Sequence, residues 1–231
     1  VYTNIDDENN RDSTDYLFLK NYSSSNNRRK NILQKIKQCA IEPRHNLSLI
    51  HYQNNKNHIP PWILIGNVPF GLAIQWYSIL KDNDKTYVCK ELISTDKISF
   101  EQRKELLLKA LHILKDYRNS MAHGIRTFEN TTSCELPKVP LLSVATNLVH
   151  EEEYMSGIGK NDLYSVILII CILLNDSYLS ENFFFFLSLL FSPYTEKKIQ
   201  FCGKSVLNVF NLPENLIIRI AEFINNKYKD H

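Results

Sequence analysis

A chain of 231 residues with 44% hydrophobic and 11% aromatic content can bury a sizeable core, as one large domain or two small ones. Its 27 Lys and Arg against 25 Asp and Glu leave a formal charge of +2, which excludes a protein that coats nucleic acid through net charge, so any polyanion must be met locally. Five scattered cysteines (Cys39, Cys89, Cys134, Cys171 and Cys202) with no C-x-x-C pair argue against a disulfide framework or a zinc site and suit a reducing cytoplasm.

The start of the chain lacks the basic-then-apolar pattern of a signal peptide, and Val1 stands where Met is usual, so the N-terminus reads as truncated. Residues 1–30 are rich in Asn, Asp, Ser and Tyr and lack periodicity apart from the apolar patch 16–19, which predicts a loop or loosely packed arm. Arg28, Arg29 and Lys30 then open a helical pattern through Ile32, Leu33, Ile36 and Ala40, with Lys35 and Lys37 on its other side. A basic helix face of this kind is more often solvated than bound to RNA. The expected division is an arm over 1–47 and a main domain over 48–231.

Pro60, Pro61 and Pro69 predict extended or turning backbone, followed by a helix over 70–80 whose apolar density implies burial on more than one side. Ser99 and Gln102 fit a capping box, and Leu107, Ala110, Leu111, Leu114, Tyr117 and Met121 follow as one apolar stripe. Gly124 is placed to end that helix. Pro137 and Pro140 predict a loop, and 151–159 another. Helices are expected over 162–174, 181–191 and 216–228, with a basic stretch at Lys197 and Lys198. The apolar runs 166–174 and 183–191 fall well short of the roughly 20 residues of a membrane span and read as core helices. With few alternating segments and no internal repeat, the fold class is all-α.

Chemistry concentrates at Arg118, Asn119 and His123. Asn119 and His123 are one helical turn apart and share a face, while Arg118 is displaced by roughly 140°, a gap its long side chain can bridge. An Arg fork suits phosphate oxygens, an imidazole can move a proton near neutral pH, and the amide can orient its neighbour. No metal ligand or other cofactor is required. RNA carries its own nucleophile in the 2′-hydroxyl, so such a site would cleave RNA and spare DNA. The ordinary alternative is that Arg118 pairs with Asp116 or Glu129 and His123 merely caps the helix; on spacing alone that alternative is favoured.

Context changes the balance. The stretch Arg118-Asn119-Ser120-Met121-Ala122-His123-Gly124-Ile125-Arg126 resembles the R-N-x-x-A-H-x-x-R signature of the Abi-like abortive-infection family, a branch of the HEPN superfamily. Upstream, His51-Tyr52, Pro61-Trp62-Ile63-Leu64 and Val68-Pro69-Phe70-Gly71 look like that family's H-Y, P-x-W and T-F-G-type stretch. Downstream, Phe210-Asn211-Leu212-Pro213-Glu214-Asn215 resembles its closing G-[FL]-P-x-N-W motif, with Leu216 in place of the final Trp. The resemblance runs from about Ser48 to Leu216 and leaves 1–47 uninterpreted.

The resemblance implies a HEPN-type helical bundle with flanking helices, and a metal-independent endoribonuclease whose products bear a 2′,3′-cyclic phosphate and a 5′-hydroxyl. It implies that Arg118 holds the scissile phosphate, that His123 transfers a proton or contacts phosphate, that Asn119 orients His123, and that Arg126 binds an adjacent phosphate. Asn130 is a weaker candidate. One motif per chain implies a homodimer with a composite site, and a toxin of this kind implies restraint by a small RNA or a protein antitoxin. Trp62, Phe70, Trp76 and the phenylalanines 183–186 are expected in the core. The alternative function is a non-catalytic HEPN module that binds RNA or protein; a membrane-acting effector rests on the apolar runs alone.

Overall fold

Ser99, itself in extended conformation, turns the chain into its longest helix, and its side chain explains why the helix begins there. In the computed structural model, which describes residues 16–55, 58–196 and 199–229, Gln102 donates its backbone N–H to Ser99 Oγ at 3.3 Å while the Ser99 N–H reaches Gln102 Oε1 at 3.0 Å. The capping box read in the sequence is therefore formed, and two donors that a helix start would leave open are closed reciprocally. Twelve α-helices and one two-residue strand pair occur among the described residues, an all-α fold. The expected basic stretch at Lys197 and Lys198 and residues 1–15 of the expected arm lie outside those residues.

The chain divides into two units, 1–86 and 87–231. In the first, α1 (Arg29–Ile41), α2 (Leu47–Asn55), α3 (Pro61–Leu64) and α4 (Phe70–Ser78) surround one apolar cluster. That cluster joins Leu17 and Tyr22 to Ile32, Leu33 and Ile36 of α1 and to Leu49, Ile59, Leu64 and Ile79, so it runs across the boundary expected at 47/48. The patch 16–19, expected in a loose arm, supplies Leu17 to this core. Buried Asn67 donates to the carbonyls of Cys39 at 2.6 Å and Glu42 at 2.7 Å, closing the end of α1. Trp76 packs against the core and donates its indole N–H to the Tyr22 hydroxyl at 2.8 Å. Trp62 and Phe70, expected inside, are exposed. Trp62 follows Pro61 at the first turn of a four-residue helix, too short to bury residues on every side.

α5 (Asp82–Leu92) leads into the second unit, built from α6 (Phe100–Ala122), α7 (Lys138–Val144), α8 (Glu151–Met155), α9 (Leu163–Leu173), α10 (Ser177–Glu196), the strand pair β1 (Gln200–Phe201) and β2 (Lys204–Ser205), α11 (Val206–Val209) and α12 (Leu216–Lys227). α6 packs on α7 and α9, and α10 packs on α11 and α12. The buried side of α6 is Arg103, Leu106, Leu107, Ala110, Ile113 and Tyr117, so it is rotated from the expected stripe, of which Leu111 and Leu114 are only half-buried. Met121, placed at the end of that stripe by periodicity, is exposed because the helix has by then run past its partners.

Two expected loops are helical instead. Pro140 sits in the first turn of α7, where a missing N–H costs nothing because it would have had no partner. Glu153 accepts the His150 N–H at 2.9 Å and so caps α8 within the stretch expected to be irregular. The phenylalanines 183–186 were expected in the core, but Phe185 and Phe186 are exposed. Four consecutive helical residues cover about 300° of arc, so they cannot all face one core.

Candidate active site at the end of α6

The last turn of α6 carries Arg118 and Asn119, and His123 is the residue at which the helix stops, with φ −97° and ψ 8°. Gly124 then takes φ +70°, a left-handed conformation that glycine enters without a side-chain penalty. The Ile125 N–H reaches back to the Ser120 carbonyl at 3.0 Å and the Gly124 N–H to that of Met121 at 3.1 Å. This double closure is a Schellman ending, and it turns the chain sharply away directly after the imidazole. Nothing lies within 4 Å of where a Cβ on Gly124 would stand, so its glycine serves the backbone turn and not close packing.

Arg118 Nη1 donates to Asn119 Oδ1 at 3.2 Å, so these two side chains meet. His123 is joined to Asn119 through the backbone, its N–H reaching the Asn119 carbonyl at 3.1 Å. Among the described residues no hydrogen bond links the Asn119 side chain to the His123 ring; the amide oxygen faces the guanidinium instead. The ordinary pairing for Arg118 is not formed either: Asp116 pairs with Lys115 at 3.0 Å and Glu129 with Arg126 at 3.6 Å. Both Arg126 and Glu129 are exposed, and such a pair is worth little in water, so Arg126 can exchange that carboxylate for a phosphate at small cost. Arg118, Asn119, His123 and Arg126 are all open to solvent, which gives an extended polyanion access to each.

The support beneath these residues is less legible. Buried Tyr117 donates its hydroxyl to the carbonyl of Asn130, and Asn130 Nδ2 donates to Ser120 Oγ at 3.0 Å. Burial pushes the Tyr117 phenol up, which keeps it a protonated donor. Asn130, weighed above as a ligand residue, is thus committed to holding the loop against α6. Phe128 meets Phe210 edge-on at 5.2 Å, and Phe210 meets Phe191 at 6.4 Å. The 210–215 stretch therefore buttresses the loop after the signature: Asn211, at φ +56°, donates to Asp162 Oδ2 at 3.2 Å, and Leu212 is buried. Further on, the Thr132 N–H reaches the Asn161 carbonyl at 2.9 Å. Periodicity places Tyr117 inward, but nothing local in the sequence announces its partner 13 residues on.

The family model described as Abi-like protein matches residues 2–129, more than half of the chain. The matched segment contains the 118–126 signature and the 51–71 stretch, reaches into the N-terminal residues that the resemblance above did not cover, and ends before 210–215. No curated protein and no solved structure matches the chain.

Proposed function

The chain belongs to the Abi-like protein family, and on that premise we propose that it acts in abortive infection as a HEPN endoribonuclease, cutting RNA at the exposed end of α6. The observation that carries this reading is the conjunction of Arg118, Asn119 and His123 on one solvent-facing helix ending within the matched segment, with Arg118 tied to no carboxylate among the described residues.

In the proposed reaction the 2′-hydroxyl attacks the adjacent phosphorus and the 5′-oxygen leaves, giving a 2′,3′-cyclic phosphate and a 5′-hydroxyl. Arg118 presents its guanidinium fork to the phosphate oxygens, where charge builds up in the transition state. His123 moves a proton or contacts the phosphate, and Arg126 takes a neighbouring phosphate and fixes the strand. Asn119 is assigned to holding the Arg118 fork, the contact it makes here, in place of orienting His123. Positioning and charge stabilisation supply the rate, using groups the chain itself provides. One motif per chain leaves room for a second copy to complete the cleft, and a small RNA or antitoxin protein is the partner that would restrain the activity.

Induction of the wild-type chain in a bacterial host tests this. Growth arrest that disappears in His123→Ala, with the variant accumulating to the same level and with unchanged helical content, is the expected result. Equal arrest by His123→Ala would refute the catalytic role.

A further inference from the structure

α10 is apolar on two sides, separated along one edge by the polar residues Glu181, Ser188, Ser192 and Thr195. Its inner side, with buried Ser180 and Phe191 and the partly buried Phe184 and Leu187, faces the rest of the second unit, where Ser180 Oγ lies 2.9 Å from the hydroxyl of Tyr228, the residue that follows α12. Its outer side carries Tyr178, Leu179, Phe185, Phe186, Leu189 and Leu190, each between 51% and 70% exposed. At 100° per residue these six form one stripe roughly 140° wide, with the half-buried Asn182 at its N-terminal end the one polar residue within that arc before Pro193. A helix apolar on both sides is normally covered on both.

We propose that the outer face of α10 is a self-association surface, against which the same face of a second copy of this chain packs about a two-fold axis. This goes beyond the nuclease reading, and the measurement of mass below does not depend on it.

Area supports this occupant. An aromatic side chain presents on the order of 200 Å² when open, so the stripe offers roughly 600 Å² per copy. Pairing two copies removes about 1,200 Å² from water, the lower edge of what a specific, stable interface needs. An exposed apolar patch of that size is at the upper end for a chain that stays single.

Charge supports it too. The acidic or basic residues within Ser177–Glu196 are Glu181 and Glu196, and between residues 182 and 195 there is none. RNA and anionic lipid are both met by Lys and Arg, which this helix lacks. A two-fold contact sets each patch against itself, so an uncharged apolar stripe meets it without like-charge repulsion. On its opposite, inner side the same helix touches the support of the candidate site: Phe191 meets Phe210, which meets Phe128, two residues beyond Arg126.

The test is the mass of the purified full chain by sedimentation equilibrium at micromolar concentration, with Phe186→Asp/Leu189→Asp beside it and helical content monitored by circular dichroism. Wild type at twice the chain mass of 27.0 kDa, and the folded variant at 27.0 kDa, are expected. A wild type that stays single, or a folded variant that still pairs, would overturn the proposal; so would a single wild type whose α10 instead binds neutral lipid vesicles. RNA cleavage by the same samples separates the two readings: a dimer without cleavage spares the surface and sinks the nuclease, and cleavage by a single wild-type chain does the reverse.

Discussion

Tyr117 and Asn130 hold the candidate site together: the buried phenol at the end of α6 donates to a carbonyl in the loop that returns past the signature. Phenylalanine at position 117 keeps the ring in the core and removes this one bond, leaving the Asn130 carbonyl without its donor. We expect Tyr117→Phe to lose about 1–2 kcal/mol in urea unfolding, and to slow RNA cleavage further than the stability loss accounts for at a temperature where the variant stays folded. Cleavage at the wild-type rate would show that the loop needs no such tie.

Gly124 makes a cleaner case, because nothing would collide with a new Cβ. Its φ of +70° alone sets the cost, and Gly124→Ala should lower stability by about 1 kcal/mol. A loss of several kcal/mol on denaturant titration would mean that the glycine serves close packing after all.

Far from the signature, Arg219 forms a two-pronged pair with Glu153, at 2.7 Å and 2.8 Å, and also donates to the Leu148 carbonyl at 3.0 Å. Burial alone would push the Glu153 carboxyl up; the Arg219 fork and the His150 N–H outweigh it and leave the carboxyl below its ordinary value. The folded state thus holds this proton less tightly than the unfolded chain does. Its contribution to stability is present above the unfolded carboxylate pKa of about 4.3 and is lost as pH falls from there through the lower folded value. Glu153→Gln should cost roughly 3 kcal/mol at pH 7, and much less near pH 3. Unfolding midpoints measured at both pH values check this; an equal loss at both would exclude the ionic origin.

Much of the helical scaffold is legible in the sequence for physical reasons. The Ser99 capping box and the Gly124 stop are local, and both take their expected form, while of the expected stripe Leu107, Ala110 and Tyr117 are buried and Leu111, Leu114 and Met121 are not. The short helices α7 and α8 are hidden because Pro140 and the glutamates 151–153 look like loop residues, whereas a first turn tolerates a proline and welcomes acidic side chains. Burial of individual aromatics was the least legible feature. Trp62, Phe185 and Phe186 have the chemistry of core residues, and only tertiary packing decides which side of a helix is covered.

The candidate site divides in the same way. Arg118, Asn119, His123 and Arg126 were found because they lie within nine residues of one another and match a signature. Their supports, Asn130, Phe128 and Phe210, come from loop positions and from a segment more than 80 residues downstream of Arg126, which no local pattern links to them.

The proposed function rests on RNA being cut at the end of α6 by groups the chain itself supplies. Purified protein and an Arg118→Ala/His123→Ala variant, incubated with end-labelled single-stranded RNA in EDTA, test it most directly. Cleavage by the wild type alone, leaving 2′,3′-cyclic phosphate and 5′-hydroxyl ends, is the predicted result. Equal cleavage by the double variant, or wild-type cleavage that EDTA abolishes, would contradict it.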